Sequence, residues 1–200
     1  MKIYTKCALN RSASNHSFVS VFNNKTLDRV KRILVFIVFF SGFFLSCNSQ
    51  NKSMRVGDSV PVFSLKDQHD RLFTVTDYIG KKILVIYFYP KDESSVCTKE
   101  ACSFRDGYSD FTKAGAMVIG INAGSVETHK KFIQNHQLPF ILLSDPDNKV
   151  LKMFGVKKKF FISGRETFVV DKSGKIVFTY DSFTNGPAHE REALSFIKTM

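Results

Sequence analysis

Two cysteines, Cys97 and Cys102, lie five residues apart where an apolar run gives way to a helical pattern. The apolar run, residues 83–89, is β-branched and aromatic and has strand length, which is typical of a central strand buried on both faces. Pro90 ends this strand, and a helix is predicted to open at Cys97. Because the first N–H groups of a helix lack intrahelical partners and carry the positive end of its dipole, a thiolate at Cys97 is stabilised there. Cys97 is therefore a candidate nucleophile.

The predicted helix carries both cysteines and ends at Gly115. Its apolar residues recur at helical spacing, and Glu100 lies in the first turn, where a carboxylate complements the dipole. In an intact helix the Cα atoms of Cys97 and Cys102 would be about 8 to 9 Å apart on different faces. A disulfide requires less than about 7 Å, so a bond between them requires the first turn to unwind. This geometry favours a transient catalytic disulfide; the alternative is a permanent structural bond in an oxidising compartment.

The motif Pro90-x-x-x-Ser94-x-x-Cys97 resembles the peroxidatic signature of peroxiredoxins. The segment from Cys97 to Cys102 is similar to that of the Q type, also called bacterioferritin comigratory proteins. Four further segments follow in the family's order: 61–67, 125–132, 138–145 and 164–171. The resemblance extends from Val56 to the C-terminus. It implies an α/β, thioredoxin-like fold with a central mixed β-sheet flanked by helices.

The family resemblance implies a role for each of five residues. Cys97 would be the peroxidatic thiol, Cys102 the resolving thiol, and Pro90, Ser94 and Arg165 the rest of the active site. Cleavage of a peroxide builds negative charge on the leaving oxygen, which the Ser94 hydroxyl and the Arg165 guanidinium would stabilise. Pro90, with a fixed φ and no N–H, would shape the loop and shield the thiolate, or it simply ends the strand.

The expected reaction is the reduction of hydrogen peroxide and organic hydroperoxides without a metal or an organic cofactor. Cys97 would become a sulfenic acid, Cys102 would condense with it to a disulfide, and a thioredoxin-like dithiol protein would reduce that bond. Phe88, Phe160 and Phe161 are candidates for lining an apolar pocket for an organic hydroperoxide.

The chain departs from the family pattern in two places. Ser94-Ser95-Val96 stands where Thr-Pro-Gly is usual, which keeps the hydroxyl but introduces a stiff β-branched residue. The segment between Gly155 and Arg165 is also shorter than is common in the family. The first departure is expected to change how easily the loop unwinds, and the second to change the rim of the substrate pocket.

Two functions of other classes remain as alternatives. A thioredoxin-like thiol–disulfide oxidoreductase would normally use Cys-x-x-Cys, which this chain lacks. A copper-binding chaperone of the cell envelope would need both cysteines and a histidine, with His129 or His136 as candidates. Together with His189, these histidines lack ligand spacing in the sequence, so no metal site is predicted.

The N-terminal quarter of the chain has the pattern of a leader sequence. Lys31-Arg32 precedes an apolar run, residues 33–45, which has the layout of a signal peptide and is too short for a comfortable membrane span. The run ends in a segment that resembles a bacterial lipobox, in which Cys47 would be lipidated and become the mature N-terminus. The expected location is therefore a bacterial cell envelope, with a lipid anchor and the protein facing the periplasm or exterior.

The predicted organisation follows from this leader. Residues 1–29 form a polar prefix, 30–47 the signal peptide, 48–55 a linker and 56–200 the thioredoxin-like peroxiredoxin domain. Translation from Val30 as an alternative start would leave the prefix unmade. The competing interpretations are a disordered prefix or an uncleaved anchor.

Charge and cysteine content limit the classes of protein that remain possible. The net charge is +11, and residues 1–47 hold seven basic and one acidic residue against 22 and 17 in the remainder. The basic residues of the domain are scattered, which argues against a nucleic-acid partner. The one cluster, Lys157-Lys158-Lys159, is a solvated loop or, as an alternative, a contact for anionic lipid or an acidic partner. Two cysteines in the domain are too few for a disulfide-dense scaffold.

Strand and helix patterns alternate along the domain, which predicts a mixed sheet with flanking helices. The predicted strands are 61–65, 73–75, 83–89, 117–121, 140–143 and a hairpin of 167–170 with 175–180. The predicted helices begin at Cys97, span 125–135 and 149–154, and begin again at Pro187.

Overall fold

The computed structural model describes residues 53–159 and 161–200. The predicted prefix 1–29, the signal peptide 30–47 with Cys47, and most of the linker 48–55 lie outside the described residues. No helix in the described part of the chain is long and apolar enough to cross a membrane.

A seven-stranded mixed sheet in the order β2-β1-β5-β4-β3-β6-β7 forms the centre of the fold. The strands are β1 (Ser64–Asp67), β2 (Leu72–Thr74), β3 (Ile83–Phe88), β4 (Ala116–Asn122), β5 (Ile141–Ser144), β6 (Glu166–Val170) and β7 (Ile176–Asp181). The helices are α1 (Ser95–Asp106), α2 (Tyr108–Lys113), α3 (Val126–His136), α4 (Lys149–Phe154) and α5 (Gly186–Ile197), with a 3₁₀ turn at Val75–Asp77. Strands β3, β4 and β5 run parallel, while β6 is antiparallel to both β3 and β7. The predicted α/β, thioredoxin-like architecture is confirmed.

Strand β3 is buried on both faces, as its continuous apolar run predicts. Alternate side chains point to opposite faces of a strand, so Val85 and Tyr87 enter one core while Ile86 and Phe88 enter the other. Helices α1, α2, α3 and α5 cover the first core, and α4 covers the second. The central position of β3 therefore follows from its composition.

Most predicted boundaries differ from the observed ones by one or two residues, and two elements differ by more. The first strand begins at Ser64 rather than at Pro61, because only from Ser64 onward does the backbone pair with β2 and β5. The helix of the cysteines does not run unbroken to Gly115 but is divided at Gly107. The Glu190 side chain occupies the space that a Cβ of residue 107 would need, so α5 packs closely at this break.

The carboxyl ends of the parallel strands β3 and β4 meet at one edge of the sheet. The loop of residues 89–94 leaves β3 there and leads into α1, and residues 123–125 connect β4 to α3 at the same edge. The antiparallel β6 begins at this edge too, because Glu166 pairs with Phe88. The candidate site lies where these three connections meet, as is common at the carboxyl ends of strands in α/β proteins.

Candidate active site

Cys97 is the third residue of α1 and lies in its first turn, so its predicted place at the start of a helix is confirmed. Ser94 occupies the N-cap position with an extended backbone, and its carbonyl accepts the Thr98 N–H at 2.8 Å. The Cys97 thiol is 1% exposed and packs in the first core. The positive end of the helix dipole therefore acts on a thiol that is largely withdrawn from water.

Arg165 is the cation that meets this thiol. Its Nη2 donates to the Cys97 Sγ at 3.1 Å, and its Nε donates to the Phe183 carbonyl at 3.2 Å. Its Nη1 donates to the Glu100 carboxylate. The guanidinium is 2% exposed, and its planar fork is held in three directions. The geometry therefore places a fixed positive charge against the sulfur.

Glu100 has a different role from the one its sequence position indicates. Its carboxylate is 0% exposed and pairs with Arg165 instead of facing solvent beside the helix dipole. Gly186, at the start of α5, closes the space above it: a Cβ there would lie 2.9 Å from the Glu100 Cβ and 2.7 Å from the Val96 carbonyl oxygen. Sequence reasoning missed this pair because its two members are 65 residues apart.

His189 of α5 completes the buried polar group around Glu100. Its Nε2 contacts the Ser182 carbonyl at 2.9 Å, so this nitrogen carries the proton, and its Nδ1 accepts from the Thr167 hydroxyl at 2.8 Å. Burial lowers the pKa of His189 to about 4, with Arg165 contributing in the same direction. His189 is therefore neutral at pH 7, so it adds no charge to the group that Arg165 forms with Glu100 and Cys97.

The other two residues of the predicted motif lie in the loop that leads into α1. The Ser94 hydroxyl donates to the Lys91 carbonyl at 3.2 Å, which ties the loop to itself, and its expected contact with a leaving oxygen stays a prediction. Pro90 lies two residues beyond the end of β3 and lines a cavity beside the loop. Both proposed functions of Pro90, strand terminator and loop-shaping residue, agree with this position.

A buried network on Asp92 anchors the same loop to α3 and β4. The Asp92 carboxylate accepts from Tyr89 at 2.7 Å, from Asn122 at 2.9 Å and from the His129 Nδ1 at 2.9 Å. Burial raises the pKa of Asp92, but these hydrogen bonds, led by the one from His129, outweigh burial and hold the pKa below its usual value. Asp92 is thus an anion that fixes the loop before Cys97.

Glu93 adds an outer fastening to this loop. It adopts a left-handed backbone with φ of 59°, and its carboxylate accepts from Asn135 and from the His136 Nε2, each at 2.9 Å. His129 and His136 thus contact carboxylates of the loop. The described residues contain no group of three His, Cys, Asp or Glu side chains that could hold a metal ion.

A cavity of about 550 Å³ opens between this loop, the β4–α3 connection and Ile162. Its lining includes Pro90, Asp92, Asn122 and Gly124. The expectation that Phe88 lines an apolar pocket is wrong, because Phe88 points into the second core and packs on Phe154 and Phe168. Phe160 lies outside the described residues, and Phe161 is fully exposed.

Cys102 lies in α1 together with Cys97, and both are free thiols. Since five residues of intact helix separate them, their Cα atoms are about 8 to 9 Å apart. The permanent disulfide that remained an alternative is therefore absent from this described part of the fold. Cys102 is only half-buried, whereas Cys97 is enclosed.

A buried thiol at a helix start, a guanidinium on its sulfur and a thioredoxin-like sheet beneath them define the class of thiol-dependent peroxidases. The AhpC/TSA family matches residues 56–179 of the chain. Peroxiredoxin Q from the chloroplast of Sedum lineare is 43% identical over 155 residues, which cover 76% of this chain and 83% of that protein. The chain belongs to the AhpC/TSA family, and its matches include curated relatives of the peroxiredoxin Q type.

Solved structures agree with this assignment. Peroxidoxin BcpB from Mycobacterium tuberculosis has a TM-score of 0.70 at 32% identity, covering 74% of this chain and 98% of that one. PrxQ from Xylella fastidiosa has a TM-score of 0.69 at 29% identity, with the same coverage. The chain is thus a thiol-dependent peroxidase, with a peroxide as substrate and a thiol as reductant. The two alternatives, a thiol–disulfide oxidoreductase and a copper-binding chaperone, are not favoured.

Proposed function

We propose that Cys97 is the peroxidatic thiol, Cys102 the resolving thiol, and Arg165, Ser94 and Pro90 the remaining groups of the active site. The observation that carries this proposal is the 3.1 Å contact of the Arg165 Nη2 with the Cys97 Sγ. A guanidinium in that position stabilises the thiolate before the reaction and the departing oxygen during it.

The first step exchanges one bond for another. The Cys97 thiolate attacks one oxygen of the hydroperoxide, an S–O bond forms, and the O–O bond breaks. The departing alkoxide or hydroxide takes a proton and leaves as alcohol or water, and Cys97 remains as a sulfenic acid. Arg165 contributes to this step through its positive charge and its hydrogen bonds.

The second step joins the two cysteines. The Cys102 thiolate attacks the Cys97 sulfur, the S–S bond forms while the S–O bond breaks, and the departing hydroxide takes a proton and leaves as water. The first turn of α1 must unwind for this step because an intact helix holds the Cα atoms too far apart. An external dithiol then reduces the bond, and we propose a thioredoxin-like protein as the donor. Turnover with reduced thioredoxin supports that choice, whereas reduction only by low-molecular-weight thiols contradicts it.

We also propose that Cys47 is lipidated and anchors the chain in a bacterial cell envelope. The support is the order of the N-terminal segments, in which basic residues are followed by an apolar run and then by Cys47. Expression of the full chain in a bacterium, followed by mass analysis of its mature N-terminus, tests the anchor. A diacylated N-terminal Cys47 that is lost in Cys47→Ser is expected, and a mature chain that starts elsewhere contradicts it.

The experiment that tests the peroxidase mechanism uses residues 50–200. This segment contains every described element. The mycobacterial relative folds although nearly its whole chain, 98%, corresponds to only 74% of this one, so the segment should fold without the N-terminal residues. The reduced segment, Cys97→Ser and Cys102→Ser each receive one equivalent of hydrogen peroxide, and intact mass and free thiols are followed with time.

The three proteins should give three products. The parent should consume peroxide rapidly and form a Cys97–Cys102 disulfide with the loss of two thiols. Cys102→Ser should consume peroxide but stop at a sulfenic or sulfinic acid, and Cys97→Ser should react no faster than a free thiol. Equal peroxide consumption by the parent and Cys97→Ser contradicts the assignment.

A further inference from the structure

The last turn of α3 holds both sides of the segment that carries the two cysteines. On the N-terminal side, the Glu93 carboxylate accepts from the Asn135 side chain and from the His136 Nε2, each at 2.9 Å. On the C-terminal side, the Arg105 Nη1 donates to the His136 carbonyl at 3.0 Å. Glu93 lies four residues before the first cysteine, and Arg105 lies three residues after the second. The stretch that must unwind for the disulfide step is therefore tied at both ends to one turn of one helix.

The backbone of Glu93 is held in an unfavourable conformation. Its φ of 59° lies in the left-handed region, which is disfavoured for a residue with a Cβ and persists only where surrounding contacts impose it. The next residue, Ser94, is the N-cap of α1, and its carbonyl accepts the Thr98 N–H at 2.8 Å. An N-cap carbonyl accepts the first hydrogen bond of its helix. The direction in which the chain enters α1 therefore depends on the backbone of Glu93.

Of the two fastenings that hold this loop, the outer one is the exposed one. Asp92 is buried and binds His129 in the body of α3, whereas the side chain of Glu93 is 48% exposed and that of His136 is 23% exposed. The hydrogen bond from His136 is the main cause of the lowered pKa of the Glu93 carboxyl, so Glu93 is an anion. An exposed pair contributes little to stability and opens readily, in contrast to a buried charged network. The Asp92 contacts therefore keep the loop in place while the Glu93 contacts open and close.

We propose that Glu93 is a positioning residue whose contacts with the last turn of α3 latch the first turn of α1 in its helical form. While this latch is closed, Glu93 keeps its left-handed backbone and Cys97 stays in an intact turn. When the latch opens, Glu93 relaxes to an extended backbone, which redirects the chain at Ser94 and favours unwinding. This inference rests on the proposed disulfide step, and it names the group that sets how often that step begins.

The latch decides between two fates of the Cys97 sulfenic acid. In an unwound turn, Cys102 reaches the sulfur and the disulfide forms with loss of water. In an intact turn, the sulfenic acid stays at the site and attacks a second hydroperoxide. Another S–O bond then forms as that O–O bond breaks, which gives a sulfinic acid and water or an alcohol. A closed latch therefore favours overoxidation, and an open latch favours the disulfide.

The latch is removable from either end. Glu93→Ala deletes the carboxylate but keeps a Cβ, so the left-handed backbone loses its support. Asn135→Ala together with His136→Leu deletes both donors and leaves the sequence of the loop unchanged. Asp110→Ala is the matched control, because the Asp110 carboxylate also joins two helices through an exposed pair, with Lys198 after α5 at 3.0 Å.

Competition in a single turnover measures the latch. Reduced residues 50–200 and each variant are mixed with a series of hydrogen peroxide concentrations without a reductant, and intact mass gives the fractions of disulfide and sulfinic acid. The peroxide concentration that yields equal fractions, the half-point, is the rate of disulfide formation divided by the rate constant of the second oxidation. Exposed carboxylate pairs contribute a factor of up to about five, so Glu93→Ala should raise the half-point about threefold to fivefold.

The variants also test whether the three side chains act as one contact. Asn135→Ala with His136→Leu should raise the half-point as much as Glu93→Ala does, and the triple variant should raise it no further. Asp110→Ala should leave it at the parent's value. An unchanged half-point in Glu93→Ala overturns the proposal. So does an equal rise in the control, or a triple variant whose effect is the product of the separate effects.

The first oxidation separates latching from general damage to the site. It is followed in the Cys102→Ser background, where Glu93→Ala should form the sulfenic acid within about twofold of the parent's rate. The reason is that the Asp92 network still holds the loop and Arg165 still contacts the thiol. A first oxidation slowed by the same factor as the rise in the half-point would indicate a distorted site and would overturn the latch.

Amide exchange of the reduced protein tests the latch without any reaction. The Thr98 N–H, which bonds to the Ser94 carbonyl, should exchange about threefold to fivefold faster in Glu93→Ala than in the parent. Asp110→Ala should keep the parent's exchange rate, and equal exchange in all three proteins contradicts the latch. A parent that forms no disulfide with peroxide would instead reject the proposed mechanism, while the exchange rates would still decide whether Glu93 latches the turn.

Discussion

Replacing Arg165 by lysine separates its charge from its shape. The guanidinium reaches the Cys97 sulfur at 3.1 Å, the Glu100 carboxylate and the Phe183 carbonyl at the same time. A lysine ammonium keeps the positive charge but has one nitrogen, so it cannot hold all three partners in one plane. Arg165→Gln removes the charge as well. The two variants together distinguish a role of the fork from a role of the charge.

The expected magnitudes follow from the contacts that are lost. One preorganised donor to a developing anion contributes a factor of about 10² to 10³, so Arg165→Lys should slow the reaction with peroxide at least about 100-fold. Its stability should fall by about 2 kcal/mol, because about two hydrogen bonds are lost while the charge of Glu100 stays compensated. Arg165→Gln should lose about 3 to 5 kcal/mol, since it leaves the buried Glu100 carboxylate without its cation.

The assay mixes reduced protein with hydrogen peroxide in a stopped-flow instrument and follows sulfenic acid formation in Cys102→Ser, where the reaction stops at that stage. Urea unfolding of the same proteins gives the stabilities. Arg191→Lys is the matched control, because Arg191 lies 63% exposed on α5 and pairs only with Glu192 among the described ion pairs. Arg165→Lys reacting within about threefold of the parent would refute the requirement for the guanidinium fork.

Three further predictions concern the surroundings of the thiol. Glu100→Gln should lower the free energy of unfolding by about 3 kcal/mol, against less than about 1 for the half-buried Glu190→Gln, and equal urea midpoints would contradict a buried ion pair. The disulfide form should show faster amide exchange across Cys97 to Phe104 than the reduced form, and equal protection would count against unwinding of α1. His189, with its pKa lowered by burial from 6.5 to about 4, binds fewer protons folded than unfolded between these values. Acidification through this window should therefore cost up to about 3 kcal/mol of stability in the parent but not in His189→Gln, and parallel stability–pH curves for the two would reject it.

Local signals in the sequence predict the scaffold of the site well. The run 83–89 is apolar at every position, so it must be buried on both faces, and β3 lies at the centre of the sheet accordingly. Pro90 and the helical pattern after it place Cys97 in the first turn of a helix, because capping and periodicity act within a few residues. Arg165, by contrast, carries no local signal and was identified only by resemblance to a family.

The errors of the sequence interpretation have a common cause. Phe88 and Tyr87 are neighbours in the chain, yet only the sheet decides which core each enters. Glu100 looks like an exposed helix-dipole residue until α5 and Arg165 cover it. The Asp92 network joins residues that are 30 and 37 positions away in sequence, and no periodicity connects them.

The sequence by itself determined the α/β order of elements, the central strand and the helix that carries Cys97 in its first turn. Each of these depends on interactions within one turn or one strand, which the order of residues specifies directly. Only the tertiary structure decided that Arg165 meets the thiol, that Glu100 holds Arg165, and that Asp92 anchors the loop. These contacts depend on the register of β6 against β3 and on the packing of helices from distant parts of the chain, which set distances between residues that the sequence alone leaves undefined.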